Sequence, residues 1–394
     1  MSSEYSTNQP GNVAIIINSM GYGGAEKNIE TLLKHFASDS KLFLVLLEPV
    51  IQYDIPPHVQ IVPLHNAITR RHLVGFILFL PFLVYRYLKF CRQNQIRTSY
   101  SLLNKANLLN AVAYRWNNSI RFIVSEHCPY TDLFSQLPPI TRWLKERILR
   151  FINSNAHCTQ VVSNGIAHEL REVYHCKNPM ELIYNPIDEH RIRQQAGIEE
   201  NFLFDSSLRY WIHVGNFHPY KNHRLLVDAF ARMKEEQDRL LLIGSGSMQE
   251  DIKKRVNELG LNQQVLFLGQ QKNPYYYIAR SFCLVLTSEL EGLSNVILEA
   301  LCLGKPVLST DCPYGPREIM LPGSAPETSE NIIQTPVGFL VPNKNSSKLS
   351  DAMIQMAKWS EISTFQKNAL LRAEDFMVSK IAGKYQSLFS NSNP

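Results

Sequence analysis

Between Phe282 and Thr310 a short apolar run, FCLVL, is followed by a loop, an apolar segment at helical spacing and a second apolar run, VLST. No other stretch narrows the possible folds as far. Unbroken apolar runs of this length suit parallel strands covered on both faces, and parallel strands need a long crossover, usually a helix, between them. Ser294 is placed to cap that helix, and Gly304 with Pro306 stops it. The segment is predicted as a β-loop-α-β unit whose loop lies at the carboxyl edge of an open α/β sheet, the edge where such sheets bind ligands.

Glu291 falls in the loop and Glu299 in the second turn of the helix, eight positions on, so both can face one crevice. The N–H groups near Ser294, Asn295 and Val296, unpaired at a helix start, combine with the positive end of the helix dipole to seat phosphate oxygens. Carboxylates accept hydrogen bonds from sugar and ribose hydroxyls, so the combination suits a nucleotide sugar. Either glutamate alone reads as a solvated surface residue. Spacing, cap and flanking strands together favour a site.

The 394 residues suffice for two domains, and 45% hydrophobic content excludes a disordered or collagen-like chain. Seven cysteines without a Cys-x-x-Cys pair are expected to be reduced core thiols of a cytosolic protein. The first ten residues are polar, so no signal peptide is expected. Net charge is +5, but from Arg70 to Arg150 thirteen Lys/Arg stand against three acids, which gives the N-terminal half a basic face. No nucleic-acid partner is expected.

In that half, VAIIIN (Val13 to Asn18) reads as a buried strand, followed by the loop SMGYGGAEK and a helix from Ala25 to Phe36. Gly21, Gly23 and Gly24 are expected to admit a ligand close to the backbone and to supply positive φ. A rival reading is a dinucleotide fingerprint with Glu48 as the ribose acid, but its last position must be small and here it is Glu26. After a strand near Val59 to Pro63, the apolar run Leu73 to Tyr85 is thirteen residues long, short of the roughly 20 that span a bilayer. It is either an interfacial element whose Arg70, Arg71, Arg86, Lys89 and Arg92 meet lipid phosphates, or a core helix kinked at Pro81. A second basic helix, Thr141 to Ile152, carries Arg142, Lys145, Arg147 and Arg150 and favours an anionic membrane or a polyprenyl diphosphate acceptor. The strand Phe122 to Ser125 places His127 just past its carboxyl end. Asn185-Pro186 breaks regular structure, and domains of 1–190 and 191–374 are predicted.

The second half opens with the strand Tyr210 to Val214 and a helix over Asn222 to Met233, with Lys221 before it as a point charge for a diphosphate. LLLIGSGS and VLFLGQ are strands closed by glycine turns, with a base expected against Phe267 to Gln270. Val337 to Val341 is predicted to close the sheet, and no internal repeat is present.

EGLSNVILEA, with Glu291 and Glu299 as an E-x7-E pair, resembles the signature of retaining family 4 glycosyltransferases of the GT-B fold. GYGGAEKN, IYNPID, VGNFHPYKN, LIGSGS and STDCPYGPRE agree with it in order, and SLLNKANLLN is most similar to the branch that extends bacterial lipid-linked or surface glycans. The resemblance implies an α/β protein of two Rossmann-like doubly wound domains facing each other across a cleft. The N-terminal domain would bind the acceptor and the C-terminal domain the nucleotide sugar. The helical segment Ala369 to Phe389 would cross over, with 375–394 packing on the first domain.

The implied reaction is retaining, metal-independent transfer of a hexosyl or N-acetylhexosaminyl group from a nucleotide sugar, a UDP-sugar, to a lipid-linked or glycan acceptor. It would take place on the cytoplasmic face of the membrane, with peripheral contact there. The catalytic residues carried over are His127, beside the donor sugar, Lys221 on the diphosphate and Glu291 on the sugar hydroxyls. Donor binding adds Gly23 and Gly24 over the diphosphate, Asn216, Gly269 near the base, Gly292, Leu293, Ser294 and Asn295 along the helix start, and Glu299 on the ribose. Arg70, Arg71, Arg86 and Lys89 are the membrane or acceptor contacts. The family usually has arginine where this chain has Asn216; asparagine donates hydrogen bonds without charge, which leaves Arg317 or His218 to supply a second cation. No cofactor is implied, and the chain has no Asp-x-Asp and no zinc spacing. A non-catalytic nucleotide-sugar-binding protein would keep the same fold. A nicotinamide-dependent dehydrogenase would use GYGGAE and Glu48 but leaves EGLSNVILE unexplained.

Overall fold

Two parallel sheets organise the chain in the computed structural model, which describes residues 11–21, 23–36, 41–64, 73–117, 119–233, 235–324 and 328–390. Ile187–Met377 forms one compact unit; the chain up to Pro186 and the segment from Val378 form the other.

In the first unit β1 (Asn12–Ile17), β2 (Leu42–Leu46), β3 (Val59–Pro63), β4 (Ile96–Leu102), β5 (Arg121–Glu126), β6 (Cys158–Val161) and β7 (Met180–Leu182) lie in the order β3-β2-β1-β4-β5-β6-β7, all parallel. In the second, β8 (Arg209–Val214), β9 (Asp238–Ile243), β10 (Val265–Gly269), β11 (Cys283–Leu286), β12 (Val307–Thr310), β13 (Ile333–Thr335) and β14 (Gly338–Val341) lie in the order β10-β9-β8-β11-β12-β14-β13. There only β13 runs antiparallel. Each sheet is thus an open doubly wound α/β sheet. Strand order reverses between β1 and β4 in one and between β8 and β11 in the other, and that reversal opens a crevice beyond the carboxyl ends.

Unbroken burial along β1, β2, β11 and β12 explains their apolar runs. β4 is buried as well but reads IRTSYSL, so periodicity did not mark it as a strand. Its hydroxyls are paired inside the core instead. Ser99 Oγ donates to Asn110 Oδ1 at 2.5 Å and Ser101 Oγ to Asn107 Oδ1 at 2.8 Å, while the two amides donate to the Ile123 and Ser125 carbonyls. Both asparagines are fully buried on the Asn104–Trp116 helix, so SLLNKANLLN is a polar latch between that helix and β4–β5.

Three further expectations are corrected. Val337 to Val341 does not close the second sheet, because β13 pairs outside β14. The helix after Lys221 is shorter than Asn222 to Met233, running His223–Phe230. The segment Ala369 to Phe389 is not one helix: Ile362–Ala373 and Val378–Ser390 are separated by a 3-10 turn at Glu374–Phe376 and by Met377 in extended conformation, bridged to Ile187. Val378–Ser390 belongs to the first unit, where Thr98 Oγ1 donates to the Phe389 carbonyl at 3.0 Å and the Phe389 ring meets Phe36 and Tyr100.

The Leu73–Gln93 helix settles the choice between core and surface for the apolar run by doing both. Phe76, Leu80, Leu83, Val84, Tyr87 and Cys91 are buried in the first unit's core, whereas Ile77, Leu78, Phe79, Phe82 and Tyr85 are exposed. Among the described residues no helix is long and apolar enough to cross a membrane. Six cysteines are buried free thiols; Cys128, expected in a core, is exposed.

Candidate active site

The crevice of the second unit is built from the loops that follow β8 and β11. After β8 the chain turns through Gly215 to a 3-10 turn at Pro219–Lys221, where proline at the first position presets φ. Asn222 then takes the left-handed conformation (φ 46°, ψ 50°) that asparagine tolerates. Its Oδ1 caps the next helix by accepting from Leu225 N at 3.2 Å, and its Nδ2 reaches Glu289 Oε1 at 2.9 Å. The β11 loop is tied to the same turn: Thr287 Oγ1 donates to the Lys221 carbonyl at 2.9 Å and Glu289 N to the Tyr220 carbonyl at 2.7 Å. These bonds bring Lys221 Nζ to 2.5 Å from Glu291 Oε1, which also accepts from Ser288 Oγ at 2.6 Å. An ammonium so held needs little reorganisation to meet a phosphate oxygen.

The Asn295–Cys302 helix starts beside this pair in sequence. Ser294 occupies the N-cap position but its side chain makes no cap hydrogen bond, so the expected cap is absent. Gly292, Leu293 and Ser294 are buried, Asn295 and Val296 partly so, and Glu299 is 5% exposed in the second turn. The structure joins Lys221 to Glu291 directly; Glu299 lies deeper in the helix. The β12 loop closes over the turn: Gly315 has φ +52°, and a Cβ there would stand 3.1 Å from the Gly292 carbonyl oxygen. On the other flank Gly244, at φ +143°, packs against Gly215 so tightly that a Cβ would lie 2.0 Å from its carbonyl oxygen. Gly244 N donates to the carbonyl of Gly269, which ends β10 at φ +66°.

Neither candidate supplies the missing cation free of a partner. Arg317 Nε donates to Asp311 Oδ1 at 3.0 Å, and its second nitrogen bonds the other carboxylate oxygen of that buried acid, so its charge is neutralised. His218 is spent locally, accepting from Tyr220 N and stacked on the Tyr220 ring. Asn216 is exposed. Ser288, Thr287, Asn222 and Glu289, which position the central pair, carry no signal in the sequence beyond being polar residues in strand-end loops.

Beneath Lys221, His213 and His223 are buried with ring centroids 4.5 Å apart. His213 Nδ1 donates to the Val285 carbonyl at 2.8 Å, and His223 stacks on Phe217. Burial pushes both well below the ordinary imidazole value of 6.5, helped by the Lys221 cation, so both are neutral at pH 7. A depressed folded-state value means that the unfolded chain binds protons the folded chain refuses below pH 6.5. The stability these groups contribute is therefore present above pH 6.5 and is lost as pH falls towards the folded-state values. The urea midpoint of the full chain is expected to drop between pH 6.5 and pH 4, and the drop should be shallower in His223→Phe. An identical pH profile in that variant would remove the imidazole from the account.

Comparison with known proteins identifies this architecture. The family model described as Glycosyl transferases group 1 matches residues 195–369, and the model Glycosyltransferase Family 4 matches residues 22–191. The chain is a family 4 glycosyltransferase. It is 29% identical over 372 residues to N-acetylgalactosamine-N,N'-diacetylbacillosaminyl-diphospho-undecaprenol 4-alpha-N-acetylgalactosaminyltransferase of Campylobacter jejuni, covering 94% of this chain and 97% of that one. It is also 29% identical to the lipopolysaccharide 1,6-galactosyltransferase of Salmonella typhimurium, over 41% of this chain and 45% of that protein. Among solved structures, Anabaena HepE in complex with UDP matches with a TM-score of 0.74 at 20% identity, covering 96% of this chain and 99% of that one, which bears on the GT-B fold alone.

In the glycosyltransferase's first unit, Gly23 and Gly24 begin the Gly24–His35 helix. Gly23 is extended (φ −166°) rather than at positive φ, and the atom nearest a Cβ there, Glu26 Oε2 at 2.2 Å, ends a flexible side chain that can turn away, so neither expectation for this glycine is met by the backbone. Glu48, the ribose acid of the dehydrogenase reading, is paired with Lys105 at 3.2 Å. His127 follows β5, where burial pushes its imidazole down to about 4. Ser125 gives its one hydroxyl hydrogen to Gln160 Oε1, so in the 2.8 Å contact between Ser125 Oγ and His127 Nε2 the imidazole is the donor. His127 Nδ1 is left as a lone-pair acceptor for a hydroxyl hydrogen. Arg86 and Lys89 are exposed on the Leu73–Gln93 helix; Arg70 and Arg71 lie outside the described residues.

Proposed function

We propose that this glycosyltransferase moves a sugar from a UDP-sugar to a hydroxyl of a lipid-linked or cell-surface glycan, with retention of anomeric configuration and without a metal ion. The observation that carries the donor assignment is the Lys221–Glu291 contact at the β8/β11 switch point, one short loop before the amino end of the Asn295–Cys302 helix. Lys221 would exchange its carboxylate partner for an oxygen of the departing diphosphate, with the helix-start N–H groups as further donors. Glu291, released from Lys221, would accept from donor-sugar hydroxyls. His127 Nδ1 would accept from another, and Glu299 would serve the ribose. The backbone at Gly269 would border the base, and Asn216 would donate hydrogen bonds to the diphosphate. In a front-face route the leaving phosphate oxygen takes the proton of the incoming hydroxyl, so no protein base is required.

The acceptor assignment draws on the names of the two curated relatives, which act on a diphospho-undecaprenol glycan and on lipopolysaccharide. In the same reading the first unit binds the acceptor and meets the cytoplasmic face of the membrane peripherally, through the exposed apolar face of the Leu73–Gln93 helix with Arg86 and Lys89. A panel of nucleotide sugars assayed against a lipid-linked acceptor tests the whole, with the anomer of the product read by proton NMR. UDP is expected to raise the melting temperature and NAD to leave it unchanged. An inverted product would end the retaining assignment, and binding of UDP without transfer or hydrolysis of any donor would favour a non-catalytic role.

A further inference from the structure

At the amino edge of the first sheet, beside the end of the Leu73–Gln93 helix, lies a cavity of about 1090 Å³. Its walls include Lys89 and Arg92 from the end of the Leu73–Gln93 helix, Arg97 from β4, and the aromatic rings of Tyr85 and Trp116. No carboxylate among the described residues lines it, and none there pairs with any of the three cations. Three cations around one space, without a carboxylate partner among the described residues, make an anion site.

The position of the cavity narrows the choice of anion. Asn12 and Ile96, at its floor, are the first residues of β1 and β4, whereas Gly23 and Asn104 lie beyond the other ends of those strands. Six residues of strand put roughly 20 Å between the two edges at about 3.3 Å each. The donor's diphosphate, bonded directly to the sugar that reacts at the carboxyl edge, therefore does not sit here. The helix supplies a second indication. Leu78, Phe82, Tyr85, Lys89 and Arg92 recur at spacings of four, three, four and three, one stripe along its outer face. Leu78 is 75% exposed, Phe82 50% and Tyr85 62%, and the stripe passes from these into the cations that line the cavity; Trp116, on its rim, is 54% exposed. Apolar side chains leading to aromatics and then to cations is the order met on going from acyl chains to phosphate at a bilayer surface.

We propose that this cavity seats the phosphate of an anionic glycerophospholipid headgroup, with the Leu78–Phe82–Tyr85 stripe against its acyl chains. The seat rests on the peripheral membrane contact proposed above. It anchors the protein and takes no part in transfer.

The test is flotation of the full-length chain with vesicles of phosphatidylcholine alone and of phosphatidylcholine mixed with phosphatidylglycerol. Wild type is expected to partition onto the mixed vesicles, and Arg92→Glu/Arg97→Glu to lose roughly 30-fold, the least that removing two cations from an anionic surface represents. Arg171→Glu/Lys177→Glu changes net charge equally on the same unit and should lose far less, while Arg92→Lys/Arg97→Lys should retain binding. Arg92→Gln/Arg97→Gln replaces the reversal should that variant fail to fold by circular dichroism. If wild type floats with neither vesicle, the membrane reading and the seat both fall. If it floats and the Arg92/Arg97 variant loses no more than the Arg171/Lys177 control, or if wild type binds both vesicles equally, the seat falls and the membrane contact stands. Release by inorganic phosphate at the concentration effective for a short-chain phosphatidylglycerol would make free phosphate the ligand and overturn the lipid assignment.

Discussion

Lys221→Met is expected to lower kcat by about 10²–10³, the loss seen when one preorganised donor to a developing negative charge is removed. The effect should lie at the upper end, because Arg317 is neutralised by Asp311 and His218 is engaged with Tyr220, so neither supplies a free cation beside Lys221. Stability should change little. Lys221 is partly exposed, and Glu291, once unpaired, keeps the Ser288 hydroxyl at 2.6 Å and access to water. Glu291→Gln should also be impaired, and the double variant should be far less than additive, since the two side chains act as one unit. Turnover within a factor of a few of wild type in Lys221→Met would discard the assignment of the leaving group to this loop. Asn216→Arg, restoring the charge the family usually has there, should raise rather than lower kcat.

Gly244→Ala is expected to destabilise the second unit by about 3 kcal/mol, combining a backbone conformation closed to L-residues with a forced overlap. The cause is local: φ is +143°, and the new methyl would lie 2.0 Å from the Gly215 carbonyl oxygen, a backbone atom that cannot rotate away. At about 2–4 °C per kcal/mol for a unit of this size, the melting transition should fall by roughly 10 °C. Because Gly215 leads into the Lys221 turn, UDP should bind more weakly in whatever fraction stays folded. A wild-type melting temperature would show that the LIGSGS loop stands off from the β8 loop in solution.

Much of this protein could be read from residue order because central strands such as β1, β2, β11 and β12 are buried on both faces. These four are apolar nearly throughout, and a chain that alternates such strands with helices has few alternatives to a doubly wound sheet. The loop positions of Glu291, Lys221 and His127 followed from the strand ends. β4 escaped detection because its buried hydroxyls are satisfied by Asn107 and Asn110 from the next helix, a pairing visible only in three dimensions. The fate of a charge is likewise a matter of its neighbours. In the sequence Lys221 is the candidate for the diphosphate and Arg317 a candidate second cation; in the structure Asp311 holds Arg317 through both carboxylate oxygens, while Glu291 holds Lys221 through one. Nor could the run Leu73 to Tyr85 reveal its two faces, since apolar residues surround the helix and only packing selects which of them meet the core. Residue order by itself determined the fold class and the sheet edge at which the candidate site lies, because period and burial are local properties of the chain. The tertiary structure alone decided which cations remain available and which apolar surface remains uncovered, because both depend on partners tens to hundreds of residues away.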